Sequence, residues 1–461
     1  MRHGGMAPAA IRAALQADSE ARFEPPLTEK EIDYFVGEAV KWEPGKEIFH
    51  LTELGNAQRL VRLHGQDLRF CNKRGWYAWD GKRWKHDGTG EIKRRGKDTV
   101  RSIYLEAAHC SDGKMRDALG EHARRSEAKA RIDAMIGLAE SEPGIPVLHD
   151  ELDRDPWLLN VGNETIDRRI GELRPHARGD LITKIVPIEF DPSAECPEWL
   201  KFLDRIFASR ADLIRFLRKA IGYCLTGLTT EQCAFLLYGL GANGKSTLLK
   251  ILSHILGEYW RQMRTETLML KHGADAIPND IAALFGARLA TAVETENGRR
   301  LAESVIKQMT GDDTMTARFL HREFFDFEPQ FKIWLACNHK PRITGTDYAI
   351  WRRIRLIPFT VTIPEDERDP DLLNKLRGEL PGILAWAVAG CELWQTHALK
   401  PPAEVAAATN VYREESDSIA QFIEECCNLG DPEQTVSKNG LYEAYQMWAE
   451  QSGEHPLTKK G

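Results

Sequence analysis

Short apolar runs and helical patterns alternate in the second half of this chain of 461 residues. The runs Ala234–Tyr238 and Arg288–Val293 predict buried strands, and segments with helical spacing follow such runs between about 230 and 360. Apolar residues at helical spacing over 199–225 predict a helical layer before the first of these strands. Leu380–Trp394 and the last fifty residues predict further helices. The alternation favours an α/β fold with a parallel-sheet core and a helical carboxy-terminal segment.

The first half of the chain has a mixed pattern that is typical of an α+β domain. Trp76–Trp84 predicts a hairpin around the Asp80-Gly81 turn. Its three tryptophans could stack on bases, although cross-strand packing is the commoner use of such residues. A charged stretch over 113–141 predicts a helix. The predicted domains are a helical linker segment (1–47), an α+β domain (48–195), the parallel-sheet core (196–365) and a helical region (366–461).

Composition is that of an ordinary globular protein, with 42% hydrophobic and 28% charged residues. The longest apolar runs fall well short of the roughly 20 residues that span a bilayer, and the amino terminus lacks a signal-peptide core. The nine cysteines include no C-x-x-C pair. These features predict a cytoplasmic location without a membrane partner. A net charge of −7 argues against a DNA-coating protein but not against a motor with a basic channel. The local cluster Lys93-Arg94-Arg95 is either a nucleic-acid patch or a solvated helix face.

One motif carries specific chemistry. Gly239–Ser246 reads G-x-x-x-x-G-K-S between a predicted strand and a predicted helix, which is the setting of a loop that binds nucleotide phosphates. Glycines let backbone N–H groups face phosphate oxygens, and the helix amino terminus adds its positive dipole end. Lys245 would neutralise the β- and γ-phosphates, and Ser246 would hold Mg²⁺. The predicted ATP-binding residues are Gly239, Gly241, Ala242, Asn243, Gly244, Lys245, Ser246 and Thr247.

Polar residues follow the later strands. Glu294 and Glu296 come at the end of an apolar run and are expected to share one face of the strand. Either could complete the Mg²⁺ shell or polarise the attacking water, and Glu294 is preferred because it ends the run directly. Asn338 ends a later strand and could orient that water or sense the γ-phosphate. An arginine of the segment Trp351-Arg352-Arg353-Ile354-Arg355 could reach the γ-phosphate of a neighbouring subunit; otherwise these arginines are surface charges.

A polar segment between two strands predicts a hairpin that is either an ordinary surface feature or a grip on DNA phosphates. The second of these strands is expected to run from Phe327 through Leu335 to Asn338. His321 and Arg322 lie at the predicted tip.

The order of these motifs resembles the superfamily 3 helicase core of the phage, plasmid and poxvirus primase–helicase family. The resemblance includes the phosphate loop, E-T-E-x-G from Glu294, and K-x-x-T-G-D-D from Lys307. It continues through Arg318, A-C-N-H-K-P around Asn338, and W-R-R-I-R-L-I-P-F at 351–359. It implies an AAA+-like P-loop core and a homo-oligomeric ring, which is expected to be a hexamer. The ring would hydrolyse ATP with Mg²⁺ while it moves along single-stranded or forked DNA. It would act in a bacterial host cell.

By the same resemblance, the catalytic residues would be Lys245, Glu294, Asn338 and Arg353, with Glu296 as the alternative acid. The DNA contacts would be His321, Arg322, Lys307 and Arg318. Only about fifty residues precede the matching part, so a primase domain is not expected in this chain, and a separate primase or initiator is an expected partner. The carboxy-terminal winged-helix-like module is expected to be incomplete.

Two other functions stay open at this point. The first is a DNA-binding ATPase ring that acts as an initiator, loader or interference factor without processive unwinding. The second is a metabolic P-loop kinase, which would not respond to DNA.

Overall fold

The computed structural model describes residues 8–22, 26–40, 49–169, 171–270, 279–294, 296, 298–311, 313–318, 324–345, 347–429 and 435–451. The chain divides into two compact units. The first contains residues 1–70 and 87–146, and the second contains residues 71–86 and 147–461.

The first unit is mainly helical. Its helices are α1 (Pro8–Arg22), α2 (Glu29–Val40), α3 (Glu53–His64), α4 (Glu91–Ala108), α5 (Gly113–Ser126) and α6 (Lys129–Ala139). Strand β1 (Leu68–Cys71) ends at the boundary with the second unit. A capping box starts α2, where the Thr28 N–H donates to Glu31 Oε2 at 2.8 Å. Arg59 is buried, and its Nε donates to both carboxylate oxygens of Glu106 at 3.0 Å.

The second unit holds most of the strands. They are β2 (Gly75–Trp79), β3 (Trp84–His86), β4 (Leu158–Asn160), β5 (Thr165–Asp167), β6 (Glu172–Arg174), β7 (Ala234–Tyr238), β8 (Trp260–Gln262), β9 (Leu289–Glu294), β10 (Met315–Arg318), β11 (Phe324–Phe327), β12 (Lys332–Cys337) and β13 (Ile354–Pro358). Its helices are α7 (Pro197–Ile206), α8 (Ala211–Cys224), α9 (Lys245–Leu256), α10 (Asn279–Ala282), α11 (Glu303–Thr310), α12 (Tyr348–Trp351), α13 (Leu372–Gly378), α14 (Leu380–His397), α15 (Ala403–Ser416), α16 (Ser418–Cys426) and α17 (Lys438–Gln451).

A parallel sheet lies at the centre of this unit. Among the described residues it has five strands in the order β13-β7-β12-β9-β8. The strands are nearly continuous apolar runs because helices cover both faces of the sheet. Along β7, Phe235 and Leu237 pack into one apolar cluster with α8 and α9, whereas Ala234 and Leu236 pack into another with α12 and α15. The predicted α/β core with a parallel sheet and helical carboxy-terminal region is therefore confirmed.

Helices α8 and α14 pack very closely beneath the sheet. A side chain at Gly222 would place its Cβ 2.1 Å from the Cys391 nitrogen, and one at Gly390 would place it 2.3 Å from the Arg218 carbonyl oxygen. Only glycine permits this backbone approach. The helical layer predicted over 199–225 is present as α7 and α8.

The tryptophan-rich hairpin is present and serves packing. Strands β2 and β3 pair with Trp79 opposite Trp84, whose rings are 5.6 Å apart. Trp84 is fully buried, and its Nε1 donates to the Arg178 carbonyl at 2.8 Å. A buried indole is not available to a base, so the packing interpretation holds for Trp84.

Two predictions about local structure were wrong. The predicted strand from Phe327 to Asn338 is two strands, because β11 pairs with β10 whereas β12 joins the parallel sheet. Pro329 lies between them, and proline cannot donate to a sheet ladder. The predicted helix over 113–141 is likewise two helices, α5 and α6, with a break at Glu127–Ala128.

Candidate nucleotide-binding site

The motif loop joins β7 to α9 at the carboxyl end of the sheet. Gly244 precedes the helix with φ of +84°, in the left-handed region that favours glycine. An added Cβ there would lie 2.5 Å from Ile206 Cγ2, and one at Gly239 would lie 2.3 Å from the Phe359 carbonyl oxygen. Both glycines are therefore required by the path of the backbone.

Neighbouring strands fix the position of this loop. The Gly239 N–H donates to the Cys337 carbonyl at 3.3 Å, which ties the start of the loop to the end of β12. On the other side, the Ile363 N–H donates to the Ala242 carbonyl at 2.8 Å. Ala242 has φ of +57°, which costs a non-glycine residue about 1–2 kcal/mol. The loop is thus held in one strained conformation before any ligand binds.

Lys245 lies within the loop. Its side chain is buried, and Nζ donates to the Gly239 carbonyl and, at 3.1 Å, to Asn243 Oδ1. Burial is the main cause that lowers the pKa of Lys245. Asn243 in turn donates to the Leu240 carbonyl. The ammonium is therefore directed into the loop by groups of the loop itself.

The residues expected to contact phosphates and metal lie at the open side of the loop. Gly241, Ala242 and Ser246 are exposed, and Thr247 is half-buried. The Leu248 N–H donates to the Gly244 carbonyl at 2.9 Å, so regular helical bonding begins there. The N–H groups of the first turn of α9 precede that bond and are available to an anion.

Glu294 ends the strand two places from β7. Cys337 of β12 is level with both Tyr238 of β7 and Glu294 of β9. At one strand spacing each, the Cα atoms of Tyr238 and Glu294 are roughly 10 Å apart. Glu294 is buried, and its Oε2 has no hydrogen-bond partner among the described residues. A buried carboxylate oxygen without a partner fits a water-bridged cation.

Glu296 has different surroundings. Strand β9 ends at Glu294, so the two acids do not share a strand face as predicted. The Glu296 N–H donates to Glu294 Oε1 at 2.8 Å, while its own carboxylate is exposed and pairs with Arg299 at 2.5 Å. Glu294 is preferred because its carboxylate is buried and has an oxygen without a partner among the described residues, whereas the Glu296 carboxylate is exposed and ion-paired.

Asn338 directly follows β12, which lies between the strands of the phosphate loop and of Glu294. It is half-buried. The structure thus brings the loop, Glu294 and Asn338 to one edge of the sheet. No cluster of three or more metal-ligating His, Cys, Asp or Glu side chains occurs in the described part of the chain.

Arg353 lies at the opposite edge of the sheet. Ile354 and Ala234 are level at the start of their strands, and Pro358 and Tyr238 are level at the end. Five residues of strand separate Arg353 from the loop, roughly 17 Å, so it does not reach the phosphate loop of its own chain. Burial is the main cause that lowers its pKa, and Nη1 donates to the Ala349 carbonyl at 2.8 Å.

Arg352 is exposed and donates to Gln232 Oε1 at 2.9 Å. Of the two arginines, it is Arg352 that faces outward in the single chain. The sequence preference for Arg353 therefore remains a prediction that has to be tested against its neighbour.

The predicted DNA contacts are partly described. Lys307 forms an ion pair with Asp347 at 2.7 Å. Arg318 ends β10 and is exposed, with its guanidinium 5.0 Å from the centre of the Phe324 ring in the paired strand. His321 and Arg322 lie outside the described residues.

The basic cluster in the first half of the chain is bound by acids. Arg94 and Arg95 pair with Glu91 of the same helix at 2.7 and 3.1 Å, and Lys93 lies 3.9 Å from Asp133. Pairing with acids along one helix face agrees with the interpretation of this cluster as a solvated helix face.

Sequence reasoning missed two parts of this site. The loop is held from outside by the backbone of Phe359 and Ile363, far along the chain, and backbone contacts leave no signature in residue type. Lys340 places its ammonium 5.0 Å from the centre of the Tyr238 ring, directly before the loop. The sequence signal that could have placed Lys340 near the site was its position two residues after Asn338.

This chain is similar to known protein families. Residues 57–208 match the family described as D5 N terminal like. Residues 237–353, which contain the phosphate loop and Arg353, match DUF5906, a family of unknown function. In the residues that the structure describes, no helix has the length and apolar character needed to cross a bilayer.

Three viral proteins are among the relatives. "Putative helicase L207/L206" of Acanthamoeba polyphaga mimivirus is 27% identical over 64% of this chain and 33% of its own length. "Putative helicase 022R" of Frog virus 3 is 30% identical over 57% and 29%. "Putative primase C962R" of African swine fever virus (isolate Tick/Malawi/Lil 20-1/1983) is 26% identical over 44% and 22%.

The matches to the two helicase-named proteins cover about a third of their length. A solved apo structure of the NrS-1 C-terminal region is 13% identical and covers 65% of this chain and 68% of that one, with a TM-score of 0.44. The matches to the D5 N terminal like family and to the viral proteins confirm the resemblance seen in the motifs: this chain fits the phage- and poxvirus-type primase–helicase family.

Proposed function

We propose that this chain is an ATP-hydrolysing DNA helicase of superfamily 3 that works as a hexameric ring in the replication of a phage or mobile element. The observation that carries the proposal is the meeting of the phosphate loop, Glu294 and Asn338 at the carboxyl ends of β7, β9 and β12. In open α/β sheets, ligands bind in the crevice at this end of the strands. The similarity to viral proteins with helicase and primase names supports the replication role.

The loop residues would bind the triphosphate of ATP. Lys245 would exchange its bonds to Gly239 and Asn243 for bonds to the β- and γ-phosphates, which restores a full charge partner to a buried ammonium. The first-turn N–H groups of α9 would bind phosphate oxygens from the other side. The backbone donors are fixed by the helix, so reorganisation on binding falls mainly on the Lys245 side chain.

Glu294 and Asn338 would act on the attacking water. The buried Glu294 carboxylate would accept a hydrogen bond from that water and raise its nucleophilicity, while the Asn338 amide would hold it in line with the γ-phosphate. A Mg²⁺ ion bound by Ser246 and, through water, by Glu294 would neutralise charge that develops on the phosphates. Burial strengthens the electrostatic effect of the Glu294 carboxylate.

We infer a ring from the role proposed for Arg353. It lies roughly 17 Å along the strands from the loop of its own chain, so a role at the γ-phosphate requires a neighbouring subunit. Arginines supplied in this way are worth about 10³- to 10⁵-fold in rate. DNA would pass through the ring, with Arg318 and the adjoining hairpin tip as candidate contacts, and a separate primase or initiator would act beside it.

Hydrolysis and strand displacement on a forked duplex test the proposal together. Lys245→Ala should abolish both activities, whereas Lys250→Ala, an exposed lysine on the same helix, should leave both intact. DNA-stimulated hydrolysis without displacement would contradict the helicase assignment and favour an initiator or loader. Phosphoryl transfer to a small molecule, indifferent to DNA, would contradict both.

A further inference from the structure

A basic cavity lies in the second unit, away from the phosphate loop. It has a volume of about 640 Å³, within the range of roughly 300–1,000 Å³ that is usual for ligand sites. Described residues from three segments of the chain line it: 73–86, which includes the β2–β3 hairpin, 183–184, and 258–261 around the start of β8. The cations of the lining are Lys73, Arg74, Arg83, Lys85, Lys184 and Arg261.

The charge of this cavity is strongly unbalanced. Its described lining includes six lysines and arginines but a single carboxylate, Glu258, in a chain whose net charge is −7. Glu258 is already engaged, because it pairs with Arg83, which also contacts Asp80 at 3.3 Å. The excess of positive charge is therefore a local feature that the composition of the chain does not account for.

A second carboxylate lies behind the wall of the cavity. Asp153 accepts from the Thr183 N–H at 2.7 Å and lies 3.9 Å from Lys184 Nζ. Burial, followed by the nearby Arg74 and Arg261, lowers the pKa of Lys184 to about 8 even though Asp153 opposes the shift. Arg74 and Arg261 lie close enough to Lys184 to disfavour its charged form, and an anion in the cavity would favour it.

The cations are held in place by the fold. Arg261 Nη1 donates to the carbonyls of Glu258 and Trp260 at 3.1 and 2.8 Å. The Arg74 guanidinium stacks 4.3 Å from the centre of the Phe285 ring. These contacts limit the rotamer freedom that a ligand would otherwise have to remove, which favours binding.

The cavity is distinct from the phosphate loop. Trp260 of β8 is level with Leu289 at the start of β9, so this wall lies at the amino end of the sheet. Strands β12 and β9 separate β8 from β7, a lateral distance of roughly 14 Å. ATP bound at the loop would not extend into this cavity.

We propose that the cavity binds the phosphodiester backbone of single-stranded DNA. Six cations against the three carboxylates Glu258, Asp80 and Asp153 leave an excess of three positive charges, which suits successive phosphates of a strand better than a single phosphate group. Tyr77 is buried and packs edge-on against His86 at 5.4 Å, so its ring is committed to packing and recognition is by phosphate rather than by base. The inference rests on the proposed function in that DNA is the ligand, but it uses none of the ATP-site residues.

The test is binding of a fluorescent oligothymidine by anisotropy, without nucleotide, at several salt concentrations. Lys73→Glu/Lys85→Glu reverses two exposed charges of the cavity. Lys201→Glu/Lys375→Glu is the matched control, because its side chains are 72% and 48% exposed elsewhere in the same unit. The cavity variant should bind at least about tenfold more weakly, and its log–log salt slope should be smaller by about 1.4, or 0.7 for each lost phosphate contact.

Equal affinity and slope in the cavity variant and the control would overturn the proposal, as would failure of the wild-type chain to bind the strand. Lys73→Arg/Lys85→Arg should retain binding, and circular dichroism should match across all variants. ATP hydrolysis without DNA, measured in the same samples, separates the two proposals. Hydrolysis that persists while DNA binding is unaffected by the variant removes only the cavity assignment. Absence of hydrolysis in the wild type removes only the proposed ATPase.

Discussion

Replacing Gly244 with alanine tests whether the phosphate loop has the backbone described above. Gly244 combines φ of +84° with a Cβ direction that points at Ile206 and at the Phe202 ring, 2.5 and 3.1 Å away. Gly241 is the matched control in the same loop. An added Cβ there meets no atom of the described residues within 4 Å, and its backbone is not in the left-handed region.

Two terms set the magnitude for Gly244→Ala. A left-handed backbone costs an alanine about 1–2 kcal/mol. Overpacking against Ile206 adds about 1–3 kcal/mol, because α7 is buried beneath the loop and cannot move freely. The expected loss is about 2–5 kcal/mol, or roughly 3–8 °C in melting temperature for a unit of this size. Gly241→Ala should change stability by less than about 0.5 kcal/mol.

The assay is thermal unfolding followed by circular dichroism, together with titration of a fluorescent ATP analogue. Because the chain has two compact units, the transition is assigned to the second unit by its response to saturating ATP. Gly244→Ala should lower that transition and lose ATP binding, since the start of α9 must shift to accommodate the methyl group. A Gly244→Ala protein that melts with the wild type, or a Gly241→Ala protein that is equally destabilised, would refute this description of the loop.

Three further outcomes are expected. Arg353→Ala should bind ATP normally but hydrolyse it at least about 10³-fold more slowly. Mixing it with Lys245→Ala should restore part of the activity, because one variant supplies an intact phosphate loop and the other supplies the arginine. Arg352→Ala is the control, and loss of activity in that variant alone would move the role to the exposed arginine. Glu294→Gln should retain ATP binding and lose about 10²-fold or more of the hydrolysis rate, and unchanged turnover would exclude it as the acid that acts on water. Burial lowers the pKa of Lys332 to about 7. Between pH 7 and 10, Lys332 therefore keeps its proton in the unfolded chain but has lost it in the folded chain. The free energy of unfolding of the wild type should rise with pH relative to that of Lys332→Met. Parallel pH profiles of the two unfolding free energies would contradict this.

The sequence predicted the central part of the fold because its signals are local. An apolar run, a glycine-rich loop and a helical pattern stand in direct succession at Ala234–Leu256, and each element depends on its own residues. The position of Glu294 at a strand end was predictable for the same reason. That Cys337 is level with both Tyr238 and Glu294 depends on strand order, which residue pattern does not specify.

The errors and omissions have physical causes. The apolar residues on both sides of Pro329 have the same β pattern, so the change from hairpin to parallel sheet required the tertiary structure. The basic cavity draws its cations from segments around Arg74, Lys184 and Arg261, separated by about eighty residues or more, and no single window of sequence contains it. The burial of Arg353 likewise arises from packing rather than from residue type.

ATP hydrolysis with and without single-stranded DNA, in a sample whose oligomeric state is read by mass photometry, tests the central claim most directly. We expect turnover that rises when the strand is added and that comes from a ring of six chains. Turnover that is indifferent to DNA, or that comes from a single chain, would contradict the helicase function.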